Sequence, residues 1–416
     1  MPAREPWLLD PDVTYLTHGT FGSCPRPVLE YQAALREEME RHPIVFLDYE
    51  LERRLDEARQ PLAALINADP ADLTFITNAT AGVNTVLQSL DLRPGDEILT
   101  TDHEYNACLN TVREVCSRAG ATAVVARVPL PVSSADQIVD AIVGRATPST
   151  RLAMVSHVTS PTAVVFPVAR IAEALAQRGI ATLIDGAHAP GMVPVDVTVL
   201  SDLGVGYYTG NCHKWLCAPK GAGFLWVRRD RQTSIRPLVI SHAANSARTD
   251  RSLFLRQADW TGTLDPTPFL AVPKSMEFLA GLHPGGWPAL MAANHELLLR
   301  AREVVRGAAG TAPLAPDDLL GAMAAIELPS SLEPRAPRPP PHAPSESTLP
   351  EDPLRDVLYE RFRIEVPVFT WPPVTQPGRP GLRLTRISAQ SYNVLADYEE
   401  LAQALTDLQA GSAGGA

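Results

Sequence analysis

The chain has 416 residues, 45% of them hydrophobic, and a net charge of −11. That length is enough for two or three packed units. The acidic balance excludes nucleic acid or an anionic membrane surface as the main partner, since both select basic faces. The start Met1-Pro2-Ala3-Arg4-Glu5-Pro6-Trp7 has no apolar leader core, and no run of about eighteen apolar residues follows, so a cytoplasmic protein is expected. The five cysteines are odd in number and scattered, which fits reduced thiols better than a disulfide framework or a metal site.

From about residue 72 to 227, apolar runs of strand length alternate with helical periods. Strands are expected at Leu73 to Thr77, Glu97 to Thr100, Ala123 to Ala126, Leu152 to Val155, Ile180 to Ile184 and Gly221 to Val227. Helices are expected at Ala81 to Leu90, Ala107 to Arg118, Ala135 to Val143 and Val168 to Gln177. The alternation predicts an α/β fold with a mostly parallel sheet covered by helices on both faces. Ligands of such sheets bind beyond the carboxyl ends of the strands. After about residue 270 the pattern changes. A long amphipathic helix is expected from Trp287 to Arg306, then a strand at Met323 to Leu328 and a helix at Leu354 to Phe362. Strands near Ile364 to Phe369 and Leu382 to Ile387 and a last helix near Leu395 to Leu408 complete a smaller α+β unit. The expected organisation is an N-terminal arm over 1–30, a large domain over 31–270 and a small C-terminal domain over 271–416. A polyproline-like insertion at 333–353 interrupts the last of these.

Only three lysines occur, Lys214, Lys220 and Lys274, against 33 arginines. Arginine stays charged at any working pH, whereas a desolvated lysine loses its proton and becomes a nucleophile. Lys214 lies in Tyr207-Tyr208-Thr209-Gly210-Asn211-Cys212-His213-Lys214-Trp215, at the end of what reads as a glycine-containing turn, downstream of Asp185-Gly186-Ala187-His188. A reactive lysine after a strand-end aspartate suits pyridoxal 5′-phosphate (PLP). The lysine holds the aldehyde and moves the Cα proton, and the carboxylate keeps the pyridine nitrogen protonated. A solvated lysine and a capping aspartate are the plainer readings of each residue alone.

Further candidates follow from position. Thr80 and Ala81 open a helix after a strand, where backbone N–H groups and the helix dipole suit a phosphate. His188 and Ser160 are placed to reach the ring oxygen, and Tyr105 to stack on the ring; each also reads as an ordinary packed or turn residue. Arg386 suits an amino-acid carboxylate through its bidentate guanidinium, with Arg383 as the nearest rival. His18 is expected beside the substrate at the entrance.

Together these segments resemble the class V aminotransferase family of fold-type I PLP enzymes, and within it the isopenicillin N epimerase-like branch. The resemblance rests on Tyr15-Leu16-Thr17-His18-Gly19-Thr20-Phe21-Gly22-Ser23, Asp102-His103-Glu104-Tyr105-Asn106, Ser156-His157-Val158-Thr159-Ser160-Pro161-Thr162, Asp185-Gly186-Ala187-His188, Cys212-His213-Lys214-Trp215 and Arg386-Ile387-Ser388-Ala389-Gln390-Ser391-Tyr392-Asn393. It runs from about residue 8 to 408. It implies a sheet of the seven-stranded type and a cofactor lysine at Lys214, with Asp185 on the pyridinium. Thr80, Ala81, Asn211 and His213 are then around the phosphate, Tyr105 on the ring and Arg386 on the substrate carboxylate. It also implies a homodimer in which Thr263 completes the partner's phosphate site.

The resemblance does not separate reactions. A C–S lyase acting by β-elimination on an S-substituted cysteine is the favoured expectation. An amino-acid epimerase, a transaminase, a decarboxylating oxidative deaminase and a non-catalytic relative are the alternatives. Epimerisation needs a second base on the far face, for which His18, Tyr105 and His188 are nominees. Persulfide-forming desulfuration is not expected, because no cysteine follows Cys217.

Overall fold

The computed structural model describes residues 4–332, 352–372 and 381–413. The Pro-rich stretch 333–351 therefore lies outside the described residues. A two-residue strand, β1 (Thr14–Tyr15), precedes the large sheet. The strands of that sheet are β2 (Leu73–Ile76), β3 (Glu97–Thr101), β4 (Thr122–Ala126), β5 (Thr150–Ser156), β6 (Ala181–Gly186), β7 (Val205–Asn211) and β8 (Gly223–Val227). Their spatial order is β2-β8-β7-β6-β5-β3-β4. All neighbours are parallel except the two pairings made by β8. The fold is thus the expected α/β type, with seven strands.

The order of the sheet decides where a ligand can sit. The chain lays β4 on one side of β3 and then β5, β6 and β7 successively on the other, so the winding reverses between β3 and β5. A crevice opens at such a reversal, beyond the carboxyl ends of the strands. Thr101, Ser156, Gly186 and Asn211 are those ends, and most candidate residues follow within a few positions.

One expectation needs correction. The run Tyr207 to Asn211 is no turn; it lies in β7, whose seven residues are all buried. Gly206 and Gly210 disguise it. A Cβ on Gly210 would lie 2.6 Å from the Phe224 ring, so the glycine there lets neighbouring β8 pack close rather than turning the chain. Helices at Arg26–Arg41 and Leu51–Leu65, ahead of the first expected strand, also contribute to the core, through Val28, Leu35, Leu55 and Leu62.

The C-terminal unit holds β9 (Met323–Glu327), β10 (Ile364–Glu365), β11 (Val368–Trp371) and β12 (Leu382–Ser388). β11, β12 and β9 form an antiparallel sheet backed by helices Gly286–Ala309 and Leu395–Ala413. The single strand expected from Ile364 to Phe369 is split at Val366-Pro367, because proline has no N–H for a ladder. Its first half, β10, pairs in parallel with β1. The Leu16 carbonyl also accepts from the Ser388 N–H at 2.8 Å, so the N-terminal segment is stitched to the C-terminal unit on its way to the crevice.

Candidate active site

Asp185 is the penultimate residue of β6 and is 3% exposed. Its Oδ1 accepts from the Ala187 N–H at 2.9 Å and its Oδ2 from the Cys108 thiol at 3.3 Å. Burial pushes its carboxyl up, against the Ala187 and Cys108 hydrogen bonds and the charge of Lys214, which hold it down. Asp185 and Lys214 feel each other's charge yet form no ion pair. Gly186 beside Asp185 has no alternative, since a Cβ there would lie 2.4 Å from the Tyr208 ring.

Lys214 lies three residues beyond the end of β7. Desolvation first, and the Arg386 charge second, push its amine from 10.5 down to about 7. Its Nζ lies 3.0 Å from His188 Nε2. His188 is buried, and burial drives its imidazole well below the ordinary value, so the ring is neutral. The indole N–H of Trp215 faces its Nδ1 at 3.5 Å, which leaves Nε2 as the protonated nitrogen turned toward an unprotonated lysine. His188 is therefore a partner of the lysine amine.

The helix Ala79–Gln88 starts just after β2 and is pressed against β7. A Cβ on Gly82 would meet the Thr209 hydroxyl at 2.1 Å. Two of the four groups expected around a phosphate are used inside the protein. The Asn211 side-chain oxygen accepts from the Ala79 N–H at 2.8 Å, and the Ala81 N–H is taken by its N-cap, Asn78, at 2.9 Å. Asn211 and Asn78 thus brace the helix start. The Thr80 N–H and hydroxyl make no hydrogen bond among the described residues and remain free to donate. His213 is fixed by its Nδ1 at 3.0 Å from the Ala222 carbonyl.

Arg386, on β12, projects into the same crevice and is 5% exposed. Its guanidinium donates to the Ser160 carbonyl, to Ser160 Oγ at 3.2 Å and to Thr20 Oγ1 at 2.9 Å, while its buried Nε has no partner. No carboxylate among the described residues pairs with it, and burial lowers it to about 10. Arg383, the rival, is spent on Asp352 and on the Leu332 carbonyl at 3.0 Å. Ser160 is consequently a holder of Arg386. Tyr105 is 44% exposed at the N-cap of helix Asn106–Ala119, within electrostatic reach of Asp185 and Arg386.

One expected residue lies elsewhere. His18 is fully buried with both ring nitrogens engaged, Nδ1 by Tyr392 Oη at 2.8 Å and Nε2 by the Lys214 carbonyl at 3.0 Å. It has no edge left for a substrate. Thr263, expected at a partner's phosphate site, is exposed in the bend 261–263. The residues missed from sequence are Cys108, Glu104 and Thr20. Glu104 is buried against Ser156 and Thr101, and burial pushes its carboxyl up to about 7. It stood in a motif already noted, but only the β5–β6 pairing, which sets Ser156 opposite Asp185, brings it near the aspartate.

These groups fit PLP from end to end. A buried carboxylate without an ion-pair partner suits a pyridine nitrogen, and free donors at a helix start suit a phosphate. A lysine near neutrality suits an aldehyde, and an unpaired buried guanidinium suits the carboxylate of an amino acid. That set defines a PLP enzyme of the fold-type I α/β class. The family model for aminotransferase class V matches residues 35–265, and the chain belongs to that family, with PLP as its cofactor.

The chain is 36% identical to isopenicillin N epimerase from Amycolatopsis lactamdurans over 420 residues, covering 98% of both chains. It is 31% identical to an L-cysteine desulfhydrase from Arabidopsis thaliana, over 95% of this chain and 88% of the relative. Among solved structures, a C-DES mutant with glycine covalently linked to its PLP cofactor superposes with a TM-score of 0.76 at 21% identity, covering 98% of this chain and all of that one. A complex of the cystine C-S lyase C-DES with its product cysteine persulfide gives 0.74 at 22% identity, covering 95% of this chain and 98% of that one.

Proposed function

We propose that the protein is a PLP-dependent C–S lyase that carries out β-elimination on an S-substituted cysteine. When bound, the cofactor supplies an electron-accepting ring that acidifies the substrate Cα–H. Arg386 holds the substrate carboxylate, Asp185 keeps the pyridine nitrogen protonated, and Thr80 donates to the phosphate. Lys214 takes the Cα proton and returns one to the departing sulfur. The substrate loses a thiol from Cβ, and the eliminated enamine hydrolyses to pyruvate and ammonia.

The observation that carries this reading is the number of proton-handling groups. Elimination needs one base, and epimerisation needs a second on the opposite face. Of the three nominees, His18 is sealed between Tyr392 and Lys214, and His188 Nε2 stands 3.0 Å from Lys214 Nζ, engaged with the first base. Tyr105 alone remains, and desolvation raises its phenol, which leaves less phenolate at neutral pH to serve as a base. The higher identity to isopenicillin N epimerase keeps epimerisation through Tyr105 as the second reading.

The test is a panel of cysteine conjugates and isopenicillin N incubated with holoenzyme in D₂O, with products read by mass. Pyruvate with an equivalent of thiol is expected. Deuterium at Cα of unbroken substrate, with no thiol released, would establish the second reading instead.

Arg386→Ala is expected to raise KM for carboxylate substrates by about a hundredfold, the loss of a charge-assisted pair, while the affinity for PLP stays within about twofold. An unchanged KM in steady-state assays would remove Arg386 from the substrate site.

We further propose a homodimer in which Thr263 reaches the partner's phosphate site. Ala81, at the phosphate helix, lines an apolar groove with Ile76, Leu238, Val239, Phe254 and Leu264, and Val239 and Ile240 are 53% and 72% exposed. A second copy seated there covers apolar surface continuous with the helix that bears Thr80. All five cysteines are buried and unpaired, in keeping with a cytoplasmic setting.

A further inference from the structure

The turn that carries the lysine amine is backbone-strained. Cys217 has φ +55°, in the left-handed region, and closes a turn in which its N–H donates to the Lys214 carbonyl at 2.9 Å. A non-glycine residue there costs on the order of 1 kcal/mol. Such a turn persists where its surroundings over-determine it. The second lone pair of the same carbonyl is taken from outside by His18 Nε2 at 3.0 Å, and the Leu216 carbonyl accepts from the Ser275 hydroxyl.

The tautomer of His18 follows from its neighbours. A carbonyl oxygen only accepts, so the Nε2 facing it bears the hydrogen. In a neutral ring Nδ1 must then accept, and the Tyr392 hydroxyl at 2.8 Å is its donor. The opposite tautomer would set a nitrogen lone pair against the carbonyl at 3.0 Å. The Gln390 amide, 3.3 Å from Nε2, donates instead to Cys217 Sγ at 3.6 Å. The chain around His18 is fitted to this contact. A Cβ on Gly22 would lie 1.9 Å from the His213 carbonyl oxygen, and the Gly22 carbonyl is tied to Lys220 Nζ at 3.1 Å. The edge of the imidazole also packs on Trp215, with ring centroids 5.0 Å apart.

We propose that His18 is a positioning residue. Held in one tautomer by Tyr392, it donates to the Lys214 carbonyl and fixes the strained turn from which the lysine amine projects. Two residues on, Thr20 holds Arg386, so one short N-terminal segment braces the backbone of the proton-moving group and the side chain of the carboxylate binder. This rests on Lys214 being the cofactor lysine, and not on which reaction follows.

The experiment compares H18L, H18Q and Y392F holoenzymes with wild type. It reads the visible circular dichroism of the bound cofactor without substrate, then kcat and KM. H18L is expected to alter the visible dichroism and to lower kcat by about tenfold to a hundredfold, the cost of a sub-ångström misplacement, with KM within about twofold. H18Q, whose amide N–H can reach the same carbonyl, restores most of both signals, and Y392F falls between. H18Q as impaired as H18L in a protein that melts like wild type would overturn the proposal, because the imidazole itself would then be needed. So would wild-type dichroism and kcat in H18L, or a selective rise in KM. Should H18L not fold, a near-wild-type spectrum in H18Q with an altered one in Y392F supports the proposal, and the reverse pattern overturns it. The dichroism is read before any substrate is added, so a mistaken reaction assignment leaves it untouched.

Discussion

Replacing Lys214 with alanine is expected to abolish the visible absorption band of the protein incubated with PLP and to cut turnover by about a thousandfold or more, the upper range for removing a positioned proton-transfer group. The expectation rests on geometry and on charge. Lys214 has its amine against a neutral imidazole, and desolvation and Arg386 bring it to about 7 from an ordinary 10.5. An amine with that value is largely unprotonated just above neutrality and can attack an aldehyde, while still being able to carry a proton. The sign of the pH dependence follows. Protonation removes the nucleophile, so the rate at which apoenzyme takes up PLP should rise as pH increases through about 7 and level off well below 10.5. Stopped-flow absorbance of wild-type apoenzyme measures this directly. A rise centred near 10 would mean the amine is solvated, and an intact visible band in Lys214→Ala would assign the cofactor lysine elsewhere.

The parts of this site that were legible in the sequence are those set by local order. Asp185 ends a hydrophobic strand, and a strand end in an alternating pattern points at a crevice whichever strand it is, while Lys214 stood out as one of only three lysines, downstream of that aspartate. Arg386 was legible by chemistry, with Arg383 left as its rival; in the structure Arg383, three residues earlier, leans on Asp352 instead. What was not legible is set by neighbours distant in sequence. Nothing near His18 announces that Tyr392, 374 positions away, locks its ring. A histidine in a glycine-containing turn looks like an entrance residue until the two chain ends are seen paired, β1 on β10. Strand β7 was hidden for a different reason. Its two glycines match a turn by composition, and only the Phe224 ring packed against Gly210 shows why a buried strand needs one. The braces Asn78 and Asn211 likewise take N–H groups that sequence order alone offers to a ligand.

The electronic end of the site makes the second large prediction. Three acidic groups, Asp185, Glu104 and the Cys108 thiol, are buried within reach of each other's charge. They cannot all ionise there. Burial raises Cys108 well above its ordinary value and Glu104 to about 7, while Lys214 and two donated hydrogen bonds favour the charged form of Asp185. Burial raises Asp185 as well, against Lys214 and the two donated hydrogen bonds, and a cationic pyridinium is the partner that would favour its charged form. Asp185→Asn keeps the shape and can still accept from the Ala187 N–H, but it carries no charge to hold a ring nitrogen protonated. Losing one partner of a buried, hydrogen-bonded charge pair costs about 2–5 kcal/mol, so turnover is expected to fall by about thirtyfold to several thousandfold. Lys214 is untouched, so the visible band should persist. Steady-state kinetics and the absorption spectrum of the same sample separate the two effects. A variant with wild-type kcat would show that the carboxylate only shapes the pocket. A variant that loses band and turnover together would show that it is needed to hold the cofactor rather than to tune it.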